Sequence, residues 1–182
     1  VVERLDIKQA LFKKIAPFIR QDALLATNTS GLSLASMSEA LPHMLQKRFL
    51  GMHFFNPVRY MHLLEIIPAS QTAQEAIDRA ANFGSTLGKG IVYGKDTPNF
   101  VANRIGVMAM MLALHEVERS GLGLEEVDAI VSAPMGRPKS GVFGTADMVG
   151  LDTMVHVANN CYERLIDDPE RALFRVPGWV EH

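Results

Sequence analysis

The first ninety or so residues alternate between helical and strand patterns of hydrophobic positions. Apolar side chains recur at helical spacing between basic residues, at Leu11, Ile15, Phe18 and Ile19. Three strand-like runs follow: ALLAT (23–27), RFLGMHFF (48–55) and MHLLEII (61–67), the last two separated by the turn-forming pair Asn56-Pro57. IVYG (91–94) is one more short run of this kind. A short apolar run after a helix is typical of a parallel strand, so we predict an α/β sheet here.

Two segments match the capping box, in which Ser or Thr begins a helix and a Glu three residues later bonds back to it. Ser36-x-x-Glu39 predicts a short helix limited by Pro42, and Thr72-x-x-Glu75 predicts a longer one. The glycines that follow are expected to stop the longer helix. Its apolar face is expected to carry Ala76, Ile77, Ala80 and Leu87.

After Asp96-Thr97-Pro98 the strand patterns vanish. The segment 101–121 predicts a long helix, apolar enough to be buried on most sides and ended by Gly121. Segments 125–132 and 152–166 predict further helices, with a Gly/Pro-rich connector between them. We therefore predict an α/β domain over residues 1–96, followed by an all-α domain over residues 97–182.

Composition excludes several classes of protein. A net charge of −2 and a pI of about 6.3 give no electrostatic footprint for nucleic acid or for an anionic membrane surface. The single cysteine, Cys161, excludes an internal disulfide and fits a reducing, cytoplasmic location. The longest uncharged apolar run, 105–114, has ten residues, whereas a bilayer span needs about 20. Six histidines without HExxH spacing predict no metal site. The chain opens and closes without the signals of a complete protein, so we expect it to be part of a longer one.

The apolar runs around Asn56-Pro57 carry two ionisable residues, His53 and Glu65. Strand parity puts Glu65 on the same face as its aliphatic neighbours, so a buried carboxylate there must be paired or protonated. A carboxylate facing an imidazole on the next strand is the arrangement that orients a catalytic base. Two alternatives remain open: a structural histidine bonded to backbone, and His62 as a rival partner of opposite strand parity.

Four further polar residues are candidate contacts. Asn28 and Ser30 follow the run ALLAT, and ligands of open parallel sheets bind beyond the carboxyl ends of strands, although turns favour the same residue types. Asn99 and Asn103 are expected to share a face at the start of the long helix, with Asn99 as its N-cap. The amide of Asn103 needs partners that either protein or ligand could supply.

Taken together, the segments NTS, HFFNPV, LLEII, GKDTPNFVANR, PMG and ADMVGLD, in this order and spacing, resemble the L-3-hydroxyacyl-CoA dehydrogenase family over almost the whole chain. The resemblance implies the C-terminal part of a Rossmann-like NAD-binding domain, carrying the catalytic residues, joined to a helical C-terminal domain that mediates homodimer contacts. It implies oxidation of (3S)-3-hydroxyacyl-CoA to 3-ketoacyl-CoA with NAD⁺ in fatty-acid β-oxidation.

Residue by residue, the resemblance makes His53 the catalytic base and Glu65 its carboxylate partner. It makes Ser30 and Asn103 substrate-binding residues. Asn28, Glu3 and Lys8 match positions that approach the nicotinamide end of NAD. All seven assignments are expectations.

The chain also departs from the family pattern. It has Gly31 where the family commonly has a second serine, Arg59 and Tyr60 after NPV, Asn99 within TPNF, and extra residues after PMG. These departures resemble the long multifunctional bacterial β-oxidation proteins and bear on acyl-chain preference. No GxGxxG window occurs in the sequence, so we expect the chain to be inactive by itself. The alternatives are a non-catalytic helical or interface module, and a related dehydrogenase for a free hydroxy acid.

Overall fold

The computed structural model describes residues 2–180, which form two compact units that divide between Val101 and Ala102. In the first unit, the strands are β1 (Leu25–Thr27), β2 (Phe49–Phe54), β3 (Leu63–Pro68) and β4 (Gly90–Tyr93). Its helices are α1 (Leu5–Ile15), α2 (Leu34–Ser38), α3 (His43–Gln46) and α4 (Gln74–Thr86), with a 3₁₀ turn at Ala16–Phe18.

The four strands form one mixed sheet in the order β1-β2-β3-β4. β1 pairs parallel to β2, β2 pairs antiparallel to β3, and β3 pairs parallel to β4. The short connection through Asn56 and Pro57, which are joined by a cis peptide bond, suits the antiparallel pair. The parallel pairs are connected through helices, as parallel strands require. The four predicted strands are thus confirmed, with β1 at an edge of the sheet.

Period-two alternation along β2 and β3 divides the apolar side chains between the two faces of the sheet. Phe49 and Ile67 point to one face, where they pack with residues of α1 and α2. Leu50 and Ile66 point to the other, where they pack against α4. Both faces are therefore covered, which explains why these strands read as nearly continuous hydrophobic runs.

The first helix is shorter than its apolar pattern predicts. It ends at Ile15, and Phe18 is 83% exposed instead of lying on the helical face. Pro17 explains the difference, because its ring removes a backbone donor and disfavours continuation of the helix.

Both predicted helices exist, but the predicted capping boxes are wrong, because other residues precede the helices. α2 begins three residues early: Ser33 is its N-cap and accepts a hydrogen bond from the Ser36 amide. In α4 the residue before the helix is Ala73, and the Thr72 hydroxyl instead donates to the carbonyl of Phe49. Thr72 therefore ties the chain to β2. Leu87, expected inside, is half exposed because it lies beyond the last turn of α4.

The second unit is helical in the described residues. It contains α5 (Ala102–Ser120), α6 (Leu124–Val131), α7 (Phe143–Val149) and α8 (Leu151–Arg164), with 3₁₀ turns at Ala133–Met135, Arg171–Phe174 and Gly178–Val180. Its core is formed by one stripe of α5 against α8 and the 171–174 turn, including Met111, Ala158 and Phe174. Ile105 and Leu112 on other sides of α5 are exposed, so the prediction that this helix is buried on most sides is wrong.

The connector after α6 contains a helix that the sequence did not predict. The Asp128 carboxylate accepts hydrogen bonds from the amides of Val142, Phe143 and Gly144, which begin α7. A glycine-rich segment acquires helical structure here because a side chain from another helix satisfies its first donors. Within residues 2–180, no helix combines the length and hydropathy needed to cross a bilayer.

The core assignment can be tested with two phenylalanines of the first unit. Phe49 is fully buried and meets Phe12 edge-on, with ring centroids 5.3 Å apart. We expect Phe49→Ala to lower the free energy of unfolding by about 3–5 kcal/mol, because it leaves a cavity in the core. Phe18→Ala is the matched control and should change it by no more than about 0.5 kcal/mol. Denaturant unfolding measures both, and equal losses would contradict the core described here.

Candidate active site

His53 and Glu65 lie directly opposite each other in the antiparallel pair of β2 and β3. Nδ1 of His53 is 2.6 Å from Oε2 of Glu65, and the residues are 3% and 0% exposed. Cross-strand partners in such a ladder have adjacent side chains on the same face. The predicted pairing of these two residues is therefore observed as geometry, and His62, exposed just before β3, is not the partner of Glu65 in it.

The second carboxylate oxygen of Glu65 is also held. Oε1 accepts a hydrogen bond of 3.0 Å from the backbone amide of Val101. With both oxygens engaged, the buried carboxylate has the partners that its burial demands. Because Nδ1 faces a carboxylate oxygen, the geometry assigns a proton to Nδ1 and makes Nε2 the nitrogen that can accept a proton from a ligand.

Two aromatic rings flank the imidazole. The ring of Phe55 has its centroid 4.4 Å from that of His53, and Phe100 approaches edge-on at 5.6 Å. Apolar walls exclude water, so the electrostatic interaction between His53 and Glu65 is stronger than it would be in solution. The arrangement can take up a proton at Nε2 while the adjacent carboxylate stabilises the resulting positive charge.

A second polar cluster lies at the carboxyl end of β1. The Oε1 atom of Glu3 accepts hydrogen bonds from the Thr29 hydroxyl and, at 2.8 Å, from the amide of Ser30. The Oε2 atom of Glu3 is 2.9 Å from the ammonium of Lys8, which is only 7% exposed. Asn28 accepts a hydrogen bond of 2.8 Å from the amide of Phe54, the residue after His53. The cluster is therefore tied to the end of β2.

The charge state of Glu3 follows from these contacts. Partial burial raises the pKa of its carboxyl group, but hydrogen bonds from Thr29, Lys8 and Ser30 and the charge of Lys8 outweigh that effect. The net result is a pKa below the ordinary glutamate value, so Glu3 is ionised at neutral pH. The cluster thus presents a carboxylate paired with an ammonium, beside two exposed residues, Asn28 and Ser30.

The remaining predicted residues are placed differently. Asn103 is half-buried on the first turn of α5, in the second unit. Asn99 is not the N-cap of that helix, which begins at Ala102, and the two asparagines do not share a helical face. Asn99 has φ 59° and lies in a turn before the helix. This positive φ is incompatible with a right-handed helix at Asn99. Within the described residues, no cluster of His, Cys, Asp or Glu could hold a metal ion.

Three contributors to the site were missed in the sequence. Thr29 was hidden between two candidates, and its buried hydroxyl reaches Glu3 across 26 residues. Phe100 and the amide of Val101 contact the pair, although they follow Glu65 in the sequence by 35 and 36 residues. In the sequence, this segment was notable only for its resemblance to a family motif. Backbone donors carry no sequence signal of their own, so Val101 could not be identified from residue type.

The residues at the carboxyl end of β1 have side chains that suit the nicotinamide end of a dinucleotide cofactor. Asn28, Ser30 and Glu3 expose an amide, a hydroxyl and a carboxylate at the end of a parallel strand, which is where cofactors of open α/β sheets bind. The donors and acceptors of this set suit the carboxamide and ribose groups of a nicotinamide nucleotide. The phosphate-binding glycine pattern of such domains is not present in this sequence.

Comparison with known proteins gives one answer over the whole chain. Residues 1–97 match the family model described as 3-hydroxyacyl-CoA dehydrogenase, NAD binding domain, and residues 100–179 match 3-hydroxyacyl-CoA dehydrogenase, C-terminal domain. The probable 3-hydroxyacyl-CoA dehydrogenase of Bacillus subtilis is 42% identical over 181 residues, which are 99% of this chain and 23% of that protein.

Two further relatives agree. The putative fatty acid oxidation complex trifunctional enzyme of Rickettsia felis is 41% identical over 88% of this chain and 22% of its own length. The crystal structure of (S)-3-hydroxybutyryl-CoA dehydrogenase from Ralstonia eutropha has a TM-score of 0.89 and 30% identity, and the match covers 100% of this chain and 62% of that one. The chain therefore spans less than two thirds of each of these relatives.

These matches confirm the predicted fold class, an α/β part of a NAD-binding domain followed by a helical domain. They also identify NAD as the cofactor of the domain to which the sheet belongs. With family models matched over both units, the chain belongs to the 3-hydroxyacyl-CoA dehydrogenase family.

Proposed function

We propose that this chain carries the proton-transfer site of an NAD-dependent L-3-hydroxyacyl-CoA dehydrogenase, which oxidises (3S)-3-hydroxyacyl-CoA to 3-ketoacyl-CoA in fatty-acid β-oxidation. The observation that carries the proposal is the fully buried His53–Glu65 pair, with Nδ1 and Oε2 2.6 Å apart, in a member of this family. The names of the long relatives support a multifunctional β-oxidation protein as its context.

His53 acts as the general base. Its neutral Nε2 removes the proton of the substrate 3-hydroxyl as the carbon–oxygen double bond forms. NAD⁺, when bound, supplies the acceptor for the hydride that leaves C3. Glu65 keeps the Nδ1 tautomer in place and stabilises the imidazolium, and Phe55 and Phe100 keep water from competing for these interactions. The proton on His53 passes to solvent after the ketone departs.

The other roles are proposals on the same basis. Ser30 and Asn103 hold the reacting oxygens of the substrate, a contribution of orientation and hydrogen bonding. Asn28, Glu3 and Lys8 line the approach to the nicotinamide end of NAD, supported by their position at the end of β1. Homodimer contacts through the helical domain and a cytoplasmic location stay predictions, as does a role of Arg59 and Tyr60 in substrate preference.

Substrate class is the first point to test. We expect the full-length protein to reduce acetoacetyl-CoA with NADH, and to act at least a hundredfold less efficiently on a free hydroxy acid such as gulonate with NAD⁺, compared as kcat/KM. The physical reason is that CoA contacts supply binding energy remote from the reacting carbon. A preference for the free acid would favour the related-dehydrogenase alternative, and no activity on either substrate would contradict the proposal.

The general base is tested by His53→Gln in the full-length protein. Glutamine is similar in size but does not accept a proton at neutral pH, and general base catalysis is typically worth about 10²–10⁴ in rate. We expect kcat to fall at least a hundredfold while the circular dichroism spectrum and melting temperature stay close to those of the parent. His62→Gln, at an exposed histidine nearby in sequence, is the control. Activity of H53Q within tenfold of the parent would remove His53 from the mechanism.

The carboxylate is tested by Glu65→Gln through the pH dependence of kcat/KM for oxidation. A neutral amide no longer stabilises the imidazolium that forms during the reaction, so we expect the acid limb of the profile to move. We expect a smaller loss of kcat than in H53Q, since the base itself remains. An acid limb at the same pH as in the parent would show that Glu65 does not act on His53.

A further inference from the structure

The segment Thr97-Pro98-Asn99-Phe100 forms a tight turn whose residues suit their positions. The Phe100 amide donates to the carbonyl of Thr97 over 3.0 Å, closing a four-residue turn. Pro98 occupies the second position, and Asn99 occupies the third with φ 59°. A type II turn favours proline at the second position and requires positive φ at the third, where asparagine is the best-tolerated residue after glycine.

The turn continues in an uncommon conformation. Phe100 also has a positive φ, 51°, and is 2% exposed. A bulky side chain in the left-handed region is a backbone outlier, and such conformations persist only where surrounding contacts hold them. Two consecutive residues of this kind, Asn99 and Phe100, immediately precede the amide of Val101.

That next amide is the one that contacts the catalytic pair. Val101 donates to Oε1 of Glu65 over 3.0 Å, while Oε2 of the same carboxylate faces Nδ1 of His53 at 2.6 Å. The Phe100 ring meets the His53 ring edge-on from the same turn. A carboxyl group held at one oxygen can rotate, whereas a group held at both oxygens has one orientation. The turn therefore contacts both members of the pair.

The residues before the turn are also held in place by hydrogen bonds. Asp96 accepts hydrogen bonds from the Ser33 hydroxyl at 3.1 Å and from the amides of Leu34 and Ala35 at 2.9 and 2.8 Å. The Gly94 amide donates to the carbonyl of Ile66 in β3. The turn thus begins from a point fixed to both α2 and the sheet, so its own backbone angles decide where the Val101 amide lies.

We propose that the 97–101 turn is a positioning element for proton transfer, with Asn99 as the residue whose tolerance of positive φ keeps the Val101 amide on Glu65. The inference rests on the proposed function of His53 and Glu65 and adds the group that sets their geometry. Asn99 is a positioning residue and acts through the backbone of the turn, by way of the Val101 amide and the Glu65 carboxylate. Its contribution falls on kcat and not on substrate affinity.

The test compares Asn99→Ala with Asn99→Gly in the full-length protein. Both variants lose the side-chain amide, and they differ in one Cβ atom, which disfavours positive φ in alanine and is absent in glycine. We expect kcat of N99A to be roughly five- to thirtyfold below that of N99G, with KM for acetoacetyl-CoA within about twofold. Glycine at position 99 is therefore the conservative rescue.

The same pair of variants in the Glu65→Gln background separates positioning from folding. A neutral glutamine cannot stabilise the imidazolium, so orienting it gains little, and N99A and N99G should then agree within about twofold. If N99A equals N99G in the parent background, or if their ratio is unchanged beside E65Q, the turn serves folding alone and the inference is overturned. Loss of the H53Q effect would instead overturn the proposed function, so the two failures are distinguishable.

If N99A does not fold, hydrogen exchange tests the contact between the turn and Glu65 without a measurement of turnover. Amide hydrogen exchange at Val101 is expected to be slow in the parent and in N99G. In Glu65→Ala it should become at least tenfold faster, while a core amide such as that of Leu50 keeps its protection, because the acceptor of the Val101 amide is gone. An unchanged exchange rate at Val101 in E65A would contradict the link between the turn and the carboxylate.

Discussion

A glutamate with no solvent exposure places the strictest demand on the first unit. An ionised carboxylate can be buried only if its oxygens are bonded, and Glu65 meets that condition through His53 and the amide of Val101. The register of β2 and β3 must satisfy the same condition. A slip of β3 by one residue would turn Glu65 toward α4 and away from His53. The path of the chain after β4 must satisfy it as well, because it brings the Val101 amide to Glu65.

Much of the sheet and this pair were predictable from the sequence, for identifiable reasons. Two apolar runs joined by Asn56-Pro57 leave little room for anything except adjacent strands, and period-two parity then puts His53 and Glu65 on the same face as Phe49 and Ile67. Strand parity also separated His62 from the pair. Such inferences succeed where side-chain type and local spacing alone determine the outcome. The roles of Ser30 and Asn103 rest on family resemblance and stay predictions.

The features that the sequence did not predict depend on contacts between distant segments. Thr72 has the residue type of an N-cap, yet its hydroxyl bonds to β2, because a strand carbonyl lies within reach in the folded chain. Glu3 meets Thr29 and Ser30 only once α1 lies beside the end of β1. The turn at Asn99 was misread as a helix cap, since an asparagine after a proline suits both structures and backbone angles decide between them.

Two of the short helices, α2 and α7, depend on carboxylates from other parts of the chain. Their first amides are satisfied by carboxylates from other elements, Asp96 for α2 and Asp128 for α7, at separations of about 60 and 15 residues. Helices of five and seven residues are too short to persist in water by themselves. They are products of tertiary assembly and not its nuclei. The first turn of α2, just after the loop that carries Ser30, therefore depends on Asp96, which lies beyond β4 in the chain.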